Sequence, residues 1–95
     1  MSASRTVLIA NRRGLHARAS AKFVTLASQQ SCEVRVEKDG ARDSGAEAVT
    51  GTSIMGLMML GAAMGDHIVI SADGDGAEGA VDAMAGLVEA KFGED

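Results

Sequence analysis

A histidine followed two residues later by an arginine lies where a helix is predicted to begin, in the segment Gly14-Leu15-His16-Ala17-Arg18. The free N–H groups and the positive dipole end of a helix favour an anion at its first turn. The same dipole disfavours imidazolium, and a neutral imidazole has a lone pair that can act as a nucleophile. If His16 attacks a phosphoryl donor, the helix N–H groups and Arg18 can receive the negative charge. The spacing therefore predicts phosphoryl transfer through His16. The alternative is a capping or packed histidine beside an unrelated arginine.

A second segment, Ser53-Ile-Met-Gly-Leu-Met-Met-Leu, carries more apolar residues than a short helix can bury on one side. Some of them should remain exposed, and the flexible methionine side chain suits a surface that meets several partners. We therefore expect an apolar partner-binding patch here, with core packing as the alternative. Ser53, at the start of this helix, is either its N-cap or a phosphorylation target.

The remaining candidate residues have simpler explanations. His67 precedes Ile68 and Ile70 on a predicted strand and is out of phase with them, so it should face solvent. Cys32 fits a small core residue at a strand start, and as the only cysteine it cannot form an intramolecular disulfide. The turn Asp73-Gly-Asp-Gly lacks the further ligands of a calcium loop. No metal site or cofactor is predicted.

Charge is distributed unevenly along the 95 residues, whose net charge is −4. The segment 1–32 contains no acidic residue, whereas all the charged residues of the segment 66–95 except Lys91 are acidic. This asymmetry indicates a site for an anion or an acidic partner, with scattered surface charge as the alternative. The overall acidity and the absence of Trp and Tyr argue against a nucleic-acid binder.

Hydrophobic periodicity predicts one domain over residues 1–95, with the element order β-α-β-β-α-β-α. The predicted strands and helices are Arg5–Asn11, His16–Gln29, Cys32–Lys38, a short strand near Ala46–Thr50, Ser53–Leu60, a strand marked by Ile68 and Ile70, and a final helix with Val81, Met84, Ala85, Val88 and Phe92 on one stripe. Asp75 and Glu78 have the spacing of a capping box for that last helix. Such a mixture favours an α+β fold with helices on one face of an antiparallel sheet. No segment resembles a membrane span or a signal peptide, so we expect a soluble, cytoplasmic protein. The sequence leaves the oligomeric state open, and a monomer is the default expectation.

Taken together, Gly14-Leu15-His16-Ala17-Arg18 and Ser53-Ile54-Met55-Gly56-Leu57 resemble the two signatures of HPr, the histidine-containing phosphocarrier family of the phosphoenolpyruvate-dependent phosphotransferase system. The segment Asn11-Arg12-Arg13-Gly14, the pair Gly65-Asp66 and the turn Ala72-Asp73-Gly74 are also similar to that family. The resemblance implies an open-faced β-sandwich, in which three helices cover one face of a four-stranded antiparallel sheet.

The resemblance also implies a function. His16 would accept a phosphoryl group on Nδ1 from phosphorylated enzyme I and pass it to an enzyme IIA, with Arg18 as the arginine of the site. The protein would then be a carrier and not a catalyst. Ser53 matches a regulatory serine that a dedicated HPr serine kinase modifies in some bacteria. The partner-binding residues implied by the resemblance are Leu15, Ala17, Ile54, Met55, Leu57 and Met58.

Three departures from the family pattern qualify these expectations. Ala19 replaces the proline that usually follows the arginine, which should leave a less rigid site. Thr52 replaces a frequent lysine before the regulatory serine, and the stretch 40–53 is longer than expected. Sugar uptake and a nitrogen-type regulatory relay both remain open. A binding module controlled through Ser53, with His16 incidental, is the alternative from another functional class.

Overall fold

The computed structural model describes residues 2–40 and 48–94, which follow the predicted order of elements. The strands and helices are β1 (Ser2–Leu8), α1 (Ala17–Ala27), β2 (Val34–Lys38), β3 (Val49–Thr50), α2 (Ile54–Met59), β4 (His67–Asp73) and α3 (Ala77–Glu89), and a 3-10 turn at Lys91–Gly93 follows α3.

The strands form one antiparallel sheet in the order β1-β4-β2-β3. The last strand, β4, lies between β1 and β2, with Val7 opposite Ile68 and Val36 opposite Ile70. These apolar side chains are buried, because strand alternation directs all of them to the same face of the sheet. The opposite face carries polar residues such as Thr6 and Arg35, which are exposed.

The helices cover the apolar face of this sheet, which confirms the predicted α+β open-faced sandwich. α3 packs on β1 and β4, and α1 packs against both α2 and α3. Phe23 of α1, Leu57 of α2 and Met84 of α3 are fully buried in the common core. One face of α1 packs on this core, since Ala19, Phe23 and Ala27 are buried and Leu26 is partly buried against the core.

Two strands, β1 and β2, have bounds that differ from the sequence prediction. β1 begins at Ser2 and ends at Leu8, because it pairs along the whole length of β4, from Ser2 opposite Asp73 to Leu8 opposite His67. The chain then leaves the sheet after one further bond, from the Ile9 amide to the Asp66 carbonyl at 2.8 Å. β2 begins at Val34, so that Cys32 precedes the strand and is only partly buried against the core.

The predicted start and end of the last helix were also wrong. The N-cap of α3 is Gly76 in a left-handed conformation, and no side chain caps the helix, so Asp75 and Glu78 do not form a capping box. A Cβ at Gly76 would approach the Ser31 hydroxyl to 2.5 Å, so a residue without a side chain fits this turn. Phe92 lies beyond the end of α3, although it is buried as predicted.

Residues 41–47, between β2 and β3, lie outside the described residues. The expected start of the third strand at Ala46 is among them. His67 is exposed, as its phase on the strand predicted. Within the part of the chain that is described, none of the helices is long and apolar enough to cross a membrane.

Candidate functional site

His16 is the N-cap of α1 and uses its side chain to cap the helix. Its backbone is extended, and Nδ1 accepts a hydrogen bond from the backbone amide of Arg18 at 3.2 Å. Since an acceptor nitrogen carries no proton, the lone pair of Nδ1 points to the N-terminus of the helix. The first backbone bond of the helix follows, from the Ser20 amide to the His16 carbonyl at 2.9 Å.

The other ring nitrogen of His16 contacts a residue that is far away in sequence. Nε2 lies 2.8 Å from Oε1 of Glu94, and both side chains are about four-fifths buried, with exposures of 21% and 20%. Because Nδ1 is the acceptor, Nε2 carries the proton and donates a hydrogen bond to the carboxylate. The contacts on both sides of the ring therefore favour the same tautomer.

Asn11 holds the same carboxylate from the loop before α1. Its Nδ2 donates to Glu94 Oε1 at 3.0 Å and to the Gly14 carbonyl at 2.8 Å, and the side chain is fully buried. The hydrogen bond from His16, and then that from Asn11, lower the pKa of Glu94 below its ordinary value of 4.5, because both stabilise the ionised form. Glu94 is thus a carboxylate at neutral pH.

Residues 90–94, which we call the C-terminal strap, bring Glu94 to this position. Lys91 and Phe92 both have a φ of 57°, so the chain reverses sharply after α3. The Phe92 side chain is buried in the core, and its carbonyl accepts a hydrogen bond from Lys22 Nζ at 2.8 Å. Sequence analysis missed Glu94, whose only signal was its place in an acidic segment.

The four arginines among residues 1–32 divide into two groups. Arg5 pairs within the fold, 3.5 Å from Asp82 and 3.3 Å from Glu89. Arg12, Arg13 and Arg18 are exposed, and they have no ion-pair partner among residues 2–40 and 48–94. These three unpaired arginines therefore lie in the loop before His16 and in the first turn of α1.

An imidazole with this geometry has one available lone pair, that of Nδ1, which accepts a hydrogen bond from the Arg18 amide at the N-terminus of α1. The model of the PTS HPr component phosphorylation site matches residues 3–90 of this chain. The chain belongs to the HPr family. Family membership supports a phosphocarrier function in the phosphotransferase system.

Known HPr proteins are similar to the chain over nearly its full length. The phosphocarrier protein HPr of Neisseria meningitidis serogroup A is 46% identical over 89 residues, which cover 94% of this chain and 93% of that protein. The phosphocarrier protein NPr of Shewanella violacea is 39% identical over 90 residues, covering 95% and 92%. A crystal structure of HPr-C-His from Thermoanaerobacter tengcongensis superposes with a TM-score of 0.85, at 43% identity and 98% coverage of both chains.

The second HPr-like segment forms α2, and Ser53 is its N-cap. The Ser53 hydroxyl accepts a hydrogen bond from the Gly56 amide at 3.0 Å, which satisfies a free N–H group of the helix start. The capping role considered for Ser53 is therefore confirmed. Its role as a regulatory phosphorylation site stays a prediction.

The partner-binding residues that the HPr resemblance implied divide between surface and core. Leu15 and Leu57 are 5% and 0% exposed, so they cannot form part of an exposed patch, and their assignment to it is corrected. Ala17, Ile54, Met55 and Met58 are exposed, and we call these four residues the docking patch. Met59, which belongs to the segment expected to form an apolar patch, is also exposed. Met64 is exposed as well, although no pattern in the sequence assigned it to partner binding.

Proposed function

We propose that the protein accepts a phosphoryl group on Nδ1 of His16 from phosphorylated enzyme I and passes it to an enzyme IIA. The observation that carries this proposal is the pair of contacts on the ring. Nε2 is occupied by Glu94 and carries the proton, whereas the Nδ1 lone pair lies at the N-terminus of α1. A neutral imidazole in this tautomer is a nucleophile at Nδ1 alone.

The transfer moves no proton. The lone pair of Nδ1 forms the new N–P bond, and the electrons of the donor's N–P bond return to the nitrogen of the donor histidine. The Arg18 amide, which donates to Nδ1 in the free protein, then becomes available to a phosphoryl oxygen. The exposed guanidinium of Arg18 is near enough in sequence to add a charged donor. The reverse step, with Nδ1 as the leaving nitrogen, delivers the group to the acceptor.

Partners are held by the docking patch and by charge. An apolar surface supplied by Ile54, Met55 and Met58 gives contact area on a helix that packs against α1. Arg12, Arg13 and Arg18 favour an acidic partner surface around His16 and accelerate its approach. The protein acts as a stoichiometric carrier, since it is modified and regenerated in each cycle.

The test is incubation with phosphoenolpyruvate and a cognate enzyme I, followed by intact-protein mass spectrometry. The expected result is the gain of one acid-labile phosphoryl group, lost in His16→Ala and kept in His67→Ala, which removes the exposed second histidine. No gain with an enzyme I that phosphorylates itself would overturn the proposal. Ser53 and its helix would then be the functional surface to examine, with an ATP-dependent kinase as the donor.

A further inference from the structure

We propose that Glu94 is a positioning residue that keeps the imidazole proton of His16 on Nε2 and thereby reserves Nδ1 as the reacting nitrogen. This inference deepens the proposed function and rests on it for its consequence in phosphoryl transfer. The position of the proton on the His16 ring can be tested in the unphosphorylated protein, whatever the outcome for phosphoryl transfer.

The chemistry of histidine makes such a residue necessary. A free imidazole exchanges its proton between two nitrogens, and the less hindered Nε2 is then open to attack a phosphoryl donor. In this protein the Glu94 carboxylate lies 2.8 Å from Nε2, where it accepts a hydrogen bond from the protonated nitrogen and also covers it. The Arg18 amide at Nδ1 favours the same tautomer, but it must leave Nδ1 for the reaction to occur. Glu94 is the partner that stays in place throughout.

The contact between Glu94 and Nε2 also has a role after His16 is phosphorylated. When Nδ1 carries the phosphoryl group and Nε2 keeps its proton, the ring is cationic, and its positive charge faces the Glu94 carboxylate. Loss of the Nε2 proton would leave a much poorer leaving group, because transfer would then have to expel an imidazolate. By stabilising the protonated ring, Glu94 keeps the phosphoryl group transferable.

The structure fixes Glu94 for this role through several independent contacts. Asn11 donates to the same oxygen at 3.0 Å. Burial of Phe92 and the bond from Lys22 to the Phe92 carbonyl hold the strap against α1. The positive charge of Lys22, on α1, also lowers the pKa of the Glu94 carboxylate. A surface ion pair has no comparable anchoring, as the exposed pair Arg5–Glu89 illustrates.

The experiment uses phosphoramidate, a small chemical phosphoryl donor that needs no docking surface. It is applied to the full chain carrying His67→Gln, so that His16 is the only histidine. Phosphorus NMR distinguishes Nδ1- from Nε2-phosphohistidine, and nitrogen-15 NMR of the unphosphorylated ring reports the tautomer. The variants are Glu94→Ala and Glu94→Gln, and the control is Glu89→Gln.

We expect the protein with Glu94 to be labelled on Nδ1 and to have the proton on Nε2. Glu94→Ala should raise the Nε2-phosphorylated share by about tenfold, since a charge-assisted hydrogen bond is lost and Nε2 is uncovered. Glu94→Gln keeps an acceptor at Nε2 and a similar shape, so it should keep most of the Nδ1 preference. Glu89→Gln should change neither spectrum.

Unchanged regiochemistry and tautomer in a folded Glu94→Ala protein would overturn the role of Glu94 and leave it a structural contact of the strap. If Glu94→Ala unfolds, the tautomer of Glu94→Gln decides the question, because random exchange of the ring proton in that variant contradicts the proposal. Labelling on Nδ1 by phosphoramidate but none by enzyme I would overturn the phosphocarrier function alone.

Discussion

The amide of Leu15 donates a hydrogen bond to the carbonyl of Ala62 at 3.1 Å, which joins the loop before α1 to the loop before β4. This bond requires the two backbones to approach closely at Gly14. A Cβ on Gly14 would lie 2.5 Å from the Ala62 oxygen and 2.8 Å from the Ala63 Cα. The position of His16 therefore depends on a residue without a side chain two places before it.

Gly14→Ala is expected to lower the free energy of unfolding for two reasons. Alanine is strained at the positive φ of this position, and its Cβ would also collide with the backbone of Ala62 and Ala63. Gly14 has a φ of +62°, and Gly61, with a φ of +68° and open space around it, provides a matched control. Alanine in left-handed backbone costs about 1–2 kcal/mol. Urea unfolding should give roughly that loss for Gly61→Ala and a clearly larger loss for Gly14→Ala. Equal losses would show that the loops can separate without cost.

Arg18→Ala is expected to slow phosphoryl transfer without abolishing it. A hydrogen bond to a charged group contributes about 1.5–3 kcal/mol, which corresponds to a rate loss of roughly ten- to a hundredfold. Rapid-quench measurement of transfer from enzyme I checks this value, with unfolding by urea as the test of an intact fold. An unchanged rate would exclude the Arg18 side chain from the mechanism.

Met55→Glu is expected to weaken transfer from enzyme I while leaving chemical labelling by phosphoramidate unchanged. Met55 is 71% exposed on α2, so the substitution should not disturb the core, and a buried charge at a partner interface is costly. Met64→Glu is the matched control, because Met64 is 58% exposed and lies outside α2. Equal effects of the two substitutions would place the docking surface elsewhere.

Ser53→Ala is expected to lower the free energy of unfolding by about 1 kcal/mol through loss of the helix cap. Ser53→Asp retains a capping oxygen for the Gly56 amide and should be nearly neutral. Urea unfolding of the two variants measures the difference. If Ser53→Asp is as unstable as Ser53→Ala, the serine stabilises α2 by some other contact.

Because Glu94 is ionised in the folded protein, the free energy of unfolding should fall as the pH is lowered. Its pKa is lower in the folded protein than in the unfolded chain, so the unfolded chain binds more protons as the pH falls. The stabilisation is present above the unfolded value near 4.5 and is lost as the pH falls through the lower folded value. Glu94→Gln should therefore be less stable than the natural protein at pH 6, with a gap that narrows toward pH 3.

Urea unfolding at both pH values measures this gap. Some acid dependence should persist in Glu94→Gln, because the amide of Ala63, and to a smaller degree Lys38, lower the pKa of Asp66 as well. A gap between the two proteins that does not change with pH would mean that the charge of Glu94 has no part in folding.

Local patterns in the sequence were sufficient to predict the order of the strands and helices. They also identified His16, Arg18 and Ser53 as residues of the candidate site. The stripe of Val81, Met84, Ala85 and Val88 predicted a buried face of the last helix, and all four residues are buried. Such a prediction is possible because helical spacing depends only on neighbouring residues. His16 and Arg18 are brought together by a single helical turn, and Ser53 caps α2 through a bond that spans three residues. Such short-range interactions leave a direct trace in residue order.

The tertiary structure decided what depends on distant residues. Glu94 reaches His16 across 78 positions, only because α3 ends at Glu89, Phe92 inserts into the core and two left-handed residues turn the chain back. Leu15 and Leu57 looked suited to a partner surface, but packing buried them. Long-range packing and chain reversal are set by the whole core, so no spacing in the sequence could have indicated that a carboxylate contacts Nε2 of His16.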